Sequence, residues 1–267
     1  MWPHLPAETL LLEGDDAAAF AHAQFSSKVD QLGIGQWQFS AWLDARGRVR
    51  TVFHLARLDA QRFLMLLRGG EAQAIGDALR RFIFRSRLEI HALPTRALTT
   101  GAASATHVVF CDGNMVSMGC GNHSLVIDAT PASDDAWRRL QLHEGWPWLP
   151  TNTLDQLLPA AISLQRLDAV AVDKGCYPGQ EIVARLHFRG GHKRHLHRGR
   201  LSQLVPAGDG LHMDGREVGR LLDVVACEAG VEALLTLSDD VAAAASAGMA
   251  VVCDNALSIM LEASWPA

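Results

Sequence analysis

Long apolar runs are missing from these 267 residues, so no stretch is fit to cross a bilayer as a helix. The start, Met1-Trp2-Pro3-His4, has no basic region followed by an apolar core, so the expectation is an untargeted, cytoplasmic chain with no membrane partner. Cysteine is sparse: Cys111, Cys120, Cys176, Cys227 and Cys253 are odd in number, scattered, and form no C-x-x-C pair. That argues against a disulfide framework and against a metal site built from local ligands, so any cluster this protein meets belongs to another protein. There is no Walker loop, no G-x-G-x-x-G after a strand, no G-x-S-x-G and no H-E-x-x-H. The common NTPase, dehydrogenase, hydrolase and metalloprotease readings lose ground accordingly. A net charge of −5 gives no global reason to expect nucleic acid. Tyrosine occurs once, at Tyr177.

What is present is an ordinary globular composition, 49% hydrophobic and 20% charged, long enough for one large domain or two. Apolar spacing predicts a helix over 15–32, capped by Asp15 and ended by Gly33 and Gly35. Strands follow at 36–43, 48–56 and 62–67, the first two joined by a turn at Asp44-Ala45-Arg46-Gly47. A helix is predicted over 71–84 and a strand over 88–92; residues 94–105 are small and polar and read as a loop. Short strands are expected at 107–111 and 124–128. A helix capped by Ser133 should run through Trp137, Leu140 and Leu142 to Gly145, then an extended Trp146–Pro150 and a short helix near 153–158. Hairpins rather than crossovers make this an α+β core with largely antiparallel sheet. After residue 197 the pattern changes to short alternating segments at 198–204, 216–227, 231–237, 249–253 and 257–262. Their spacing suggests a small β-barrel or sandwich, with 239–247 a short helix or an alanine-rich loop.

The densest chemistry lies in Lys174-Gly175-Cys176-Tyr177-Pro178-Gly179-Gln180-Glu181, followed by Ile182-Val183-Ala184-Arg185. Gly175 and Pro178 put Cys176 on a constrained turn. Thiolate is the reactive form of cysteine, and Lys174 and Arg185 are the local cations able to favour it. The plain alternative is a structural turn around a buried cysteine. Next comes a basic stretch, 185–200, with five arginines including Arg185 and Arg189, one lysine, four histidines and no acid. It reads either as a solvated face or as an anion site; we favour the anion site, because such density costs self-repulsion unless something offsets it. His192, His195 and His197 lack a partner set for a metal. Trp137, Trp146 and Trp148 suit a core, and equally a platform for a flat ligand such as a pterin.

The run from Lys174 to Arg185 resembles the signature of the YgfZ family, folate-binding proteins of iron–sulfur cluster assembly and repair that share a fold with the glycine-cleavage aminomethyltransferase. Further matches are Gly14-Asp15-Asp16-Ala17, Gln24, Asp44-Ala45-Arg46-Gly47-Arg48, Arg85-Ser86-Arg87-Leu88, Leu158-Pro159, Ser163-Leu164-Gln165 and Phe188–Arg194. The resemblance implies a tandem antiparallel α+β folate-binding core over 1–196 and a C-terminal β-barrel over 197–267. It implies tetrahydrofolate, or a one-carbon derivative, in a central cleft against Trp137, with Tyr177, Gln180, Glu181, Arg185 and Arg189 as further candidate contacts. Cys176 inherits the activity-bearing thiol, with Lys174 beside it. The chain departs from the family at Ala7, where a second folate tryptophan is usual and Trp2 is a nearby substitute. It departs also at His143, Ser163 and Pro178.

The expected function is therefore a folate-dependent accessory factor for iron–sulfur clusters, more a helper than a classical enzyme. Its partners would be iron–sulfur clients such as radical enzymes that modify tRNA. Two other readings remain: a one-carbon transferase acting on an aminomethylated carrier, and a basic module making weak RNA contacts through 185–200.

Overall fold

A computed structural model describes residues 6–128, 136–245 and 249–265; Trp2 and Ser133, named above, lie outside them. In chain order the strands of the first half are β1 (Pro6–Ala7), β2 (Thr9–Glu13), β3 (Gln36–Leu43), β4 (Val49–Arg57), β5 (Arg62–Leu67), β6 (Glu89–Ala92), β7 (Arg96–Gly101), β8 (Val109–Asp112), β9 (Met115–Gly119) and β10 (Ser124–Asp128). The second half adds β11 (Arg194–Leu201), β12 (Gly210–Met213), β13 (Arg216–Cys227), β14 (Gly230–Ser238), β15 (Val251–Val252) and β16 (Ser258–Trp265). The helices are α1 (Ala17–Gln24), α2 (Ala72–Arg80), α3 (Ala136–His143), α4 (Gln180–Arg189) and α5 (Asp239–Ala245). Three antiparallel sheets result, ordered β3-β4-β5-β2-β6, β1-β7-β10-β9-β8 and β12-β13-β14-β11-β16-β15.

The first sheet is apolar on both faces, which is why β5 reads as an unbroken run rather than an alternation. Phe63, Met65 and Leu67 face a layer holding α1 and α2, while Leu64 and Leu66 face a central core. That core also takes Leu98, Met118 and Leu125 from the second sheet and Leu196, Leu222 and Leu234 from the third. The third sheet closes over its own apolar interior, including Leu211, Leu221, Leu235 and Ile259. Asp254 N donates to His212 O at 2.9 Å, joining the ends of that sheet into a nearly closed barrel.

Several expectations need correction. The helix predicted over 15–32 stops at Gln24, because Phe25 turns extended and pairs with Trp42. Neither aspartate caps it by side chain: Asp16 Oδ2 accepts from Arg87 N at 2.7 Å, and Asp15 pairs with Arg87. The loop expected at 94–105 contains β7, which sits between β1 and β10; only Leu98 of its residues is buried, so the sequence signal is weak. β1, β2, β9, β12 and the helix α4 were not anticipated. In place of a helix at 153–158 there are 3-10 turns at Thr151–Thr153, Pro159–Ile162 and Leu164–Leu167. Asp239–Ala245 takes the helical option.

Candidate functional site

The signature turn is tied down by its own polar groups. Because α1 ends early, its last carbonyls lack helical partners. Lys174 Nζ supplies one, donating to His22 O and Phe25 O at 2.6 Å and to Ser27 O at 2.8 Å. Burial pulls the Lys174 pKa down to about 8, with the charge of Asp30 working the other way. Gln180 Nε2 donates back to Lys174 O at 3.0 Å, and Tyr177 OH to Ala171 O at 2.8 Å. Tyr177 is buried, and burial pushes its phenol pKa up. Lys174, Tyr177 and Gln180 thus hold the turn, and Cys176 is left exposed on it. Glu181, Arg185 and Arg189 are exposed on α4.

Immediately before that turn the chain walls a cleft of roughly 650 Å³, within the range that holds small-molecule ligands. Its lining includes Lys28, Trp37, Gln38, His107, Gln165 and His187. Trp37 is fixed twice: Nε1 donates to Gly119 O at 2.9 Å, and the ring stacks on His54 at 4.2 Å and 5°. Burial, then Arg68, holds His54 well below its ordinary pKa, so the stacked ring is neutral. Arg68 is itself buried without a carboxylate contact and lies near a pKa of about 9, its guanidinium donating to Pro147 O, Trp146 O and Gln141 Oε1. Gln165 stands on the 3-10 turn Leu164–Leu167, bracketed by Ser163 and Asp168 with φ of 52° and 51°. Its Oε1 is buried and accepts no hydrogen bond among the described residues. A buried acceptor left open beside a cleft is a position for a ligand's donor.

Trp137 is elsewhere. It is 1% exposed, inside the central core, its ring 5.0 Å from that of Trp148, and it does not line this cleft. Trp37 is equally 1% exposed and in the same core, but it lines the cleft; periodicity marks it only as a strand residue. Gln165 was visible in Ser163-Leu164-Gln165, but its open acceptor exists only in the folded chain. Ala7 is a buried β1 residue, and His143 Nε2 lies 2.6 Å from Glu232 Oε2, so both departures have structural uses. Ser163 adopts left-handed backbone, where asparagine is better suited than serine.

The basic stretch is less free than it reads. Arg194 pairs with Glu217 at 3.1 Å, His195 with Asp239 at 2.5 Å, and Arg198 and Arg200 with Glu262 at 3.4 and 3.0 Å. His197 bonds Ser264 Oγ. No group of three or more His, Cys, Asp or Glu among the described residues is placed to hold a metal. All five cysteines are free. No helix among the described residues is long and apolar enough to cross a membrane.

No family model matches the chain. It is 26% identical to the tRNA-modifying protein YgfZ of Sodalis glossinidius over 281 aligned positions, covering 85% of this chain and 83% of that one. Against the tRNA-modifying protein YgfZ of Vibrio vulnificus strain CMCP6 the figures are 27%, 71% and 66%. Against that of Escherichia coli O45:K1 identity rises to 38% over 100 residues, 35% of this chain and 31% of the other. In fold it is similar to the glycine cleavage system aminomethyltransferase T of Bartonella henselae, with a TM-score of 0.67 at 16% identity, covering 97% of this chain and 83% of that one. In sequence, over most of its length, this chain is similar to the YgfZ proteins, and its fold is that of the aminomethyltransferase.

Proposed function

We propose that this chain binds a reduced folate in the cleft beside Gln165 and serves tRNA modification as an accessory protein, with Cys176 as its working thiol. The observation that carries the reading is the open acceptor Gln165 Oε1 on a cleft walled by an anchored tryptophan. Residues there fit the group: Gln165 would accept from the donor edge of a pterin, Trp37 would close one wall, and Lys28, shared with Asp173 at 2.6 Å, and the His187 ring stand at the cleft for polar contacts to a carboxylate tail. Bound tetrahydrofolate supplies a carrier for one-carbon units. The chain's own part is to hold that ligand and to present Cys176 on a turn anchored through Lys174. The names of the relatives support the link to tRNA modification. By the family resemblance, the clients are iron–sulfur enzymes that modify tRNA, met in the cytoplasm. One-carbon transfer in the manner of the aminomethyltransferase rests on the fold alone and ranks second.

Anaerobic calorimetric titration with tetrahydrofolate tests the cleft. Gln165→Leu should weaken binding about tenfold or more, the cost of an unpaired donor. Trp137→Phe should leave affinity within about twofold, since that ring does not line the cleft. No saturable binding by the unaltered protein ends the folate reading. For the thiol, Cys176→Ala should fold normally yet fail to rescue a strain lacking its homologue; full rescue removes Cys176 from the function.

A further inference from the structure

A second groove, of roughly 570 Å³, opens where the β3–β4 turn meets the start of α4. Arg46, Arg48 and Arg185 line it, all exposed. Two glycines lock its walls together. A Cβ at Gly179, where φ is 80°, would stand 2.6 Å from Asp44 O and 2.8 Å from Gly47 Cα. One at Gly47 would stand 3.0 Å from Ile182 Cβ.

The three arginines differ from those of β11 in having no carboxylate partner among the described residues. The acids of the groove are engaged elsewhere. Asp44 Oδ1 accepts from the backbone N–H groups of Arg46 and Arg48 at 2.9 and 2.7 Å. Asp155 lies 3.7 Å from Arg50 Nε. Arg48 Nη1 donates to Gln156 O, which fixes that guanidinium. Along α4, Phe188 and Arg189 follow Arg185 by three and four residues and share its face, and Phe188 is 75% exposed. Glu181, one turn earlier, is the acid on that face.

We infer that this groove binds the phosphodiester backbone of single-stranded RNA, with Phe188 as a stacking platform beside it. Guanidinium forks match phosphate oxygens in pairs, and an exposed ring beside a basic groove is the combination that single strands use. An acidic protein would need the cations but not the ring. Gly179 lies within about 11 Å of Cys176 by chain reach, so a strand in the groove is held near the thiol. The inference rests on the tRNA reading for its biological RNA but needs no folate.

Fluorescence anisotropy with a labelled single-stranded RNA of about ten nucleotides tests it. The unaltered protein should bind with a log-affinity against log-salt slope near about −2, the value for three phosphate contacts. Arg46→Gln with Arg185→Gln, which spares Arg48, should weaken binding about tenfold or more and flatten the slope by about 1.4. Phe188→Ala should weaken binding about tenfold with the slope unchanged. Arg198→Gln with Arg200→Gln should bind RNA as the unaltered protein does. Unchanged RNA affinity in the Arg46/Arg185 double variant overturns the inference, as does a preference for polyglutamate peptide over RNA. The urea unfolding midpoint of that variant should match that of the unaltered protein, which shows that the fold is intact. If the unaltered protein binds RNA but no folate, the folate reading falls and the groove stands.

Discussion

The signature turn and the strand β11 look alike in sequence, both crowded with polar and charged groups, yet the fold uses them in opposite ways. In the turn, Lys174, Tyr177 and Gln180 spend their donors on backbone carbonyls, and one group of chemical interest, the Cys176 thiol, stays exposed. In β11 Arg194, His195, Arg198 and Arg200 are each met by an acid from β13, α5 or β16. Density of charge is therefore a poor guide to function; what matters is which groups remain unmatched after folding. By that measure the basic surface of interest is Arg46, Arg48 and Arg185, not the paired cations of β11.

The largest effect that would sharpen this contrast is Lys174→Met. Three carbonyls would lose a charge-assisted donor, so urea unfolding should show a loss of about 3 kcal/mol, against the 1.5–3 kcal/mol usual for one such bond. A loss below about 0.5 kcal/mol would mean that the turn stands without its anchor.

Acid comes next, and it should act on the charged third sheet. Glu232 accepts from Arg139 and lies 2.6 Å from His143 Nε2; although its burial works the other way, these partners hold its carboxyl down to about 2. A depressed carboxylate gives stability that is present above its ordinary value of 4.5 and lost as pH falls through about 2. Burial lowers His197 to about 4, so the unfolded chain takes its proton first and stability starts to fall below about 6.5. Urea midpoints should thus drop progressively between pH of about 6.5 and about 2. Glu232→Gln should be less stable than the parent near neutral pH, on the order of 2 kcal/mol, and converge with it at the acid end. A constant difference at all pH values would remove Glu232 from the acid response.

Smaller still is Arg198→Gln with Arg200→Gln. The pair with Glu262 is partly exposed, and exposed ion pairs are worth about 0–1 kcal/mol, so thermal unfolding should move little. A large loss would show that β11 depends on its ion pairs more than on Leu196 and Leu201 in the two cores. Smallest is Cys176→Ala, where stability should stay within about 0.5 kcal/mol because the thiol is exposed, even as function goes. A larger change would place the thiol in the turn's structure and weaken its proposed role.

Much of the architecture was legible. The strands at 36–43, 62–67 and 216–227 have the predicted bounds, since runs of apolar and β-branched residues closed by Asp44–Gly47 or Gly230 admit few alternatives. β7 was not, because Thr99, Thr100 and Gly101 owe their strand to neighbours at 124–126. The early end of α1 was equally hidden: Phe25 leaves the helix to pair with Trp42, and Lys174 meets the exposed carbonyls from 149 residues away. Of the candidate site, the turn with Cys176 could be read directly. Trp137 and Trp37 could not be told apart by composition; both fold into the same core at 1% exposure, and only the tertiary structure sets Trp37 against the cleft.

By itself the sequence determined the antiparallel α+β character, the barrel-like end of the chain, the constrained turn at 174–179 and the resemblance to YgfZ. Those follow from local rules: apolar periodicity, glycine conformations and motif spacing act over a few residues. The tertiary structure alone decided which polar groups stay open. Gln165 keeps a free acceptor, Arg198 is neutralised by Glu262, and Arg46 and Arg185 share a groove, because burial and charge pairing depend on partners that folding brings from far along the chain.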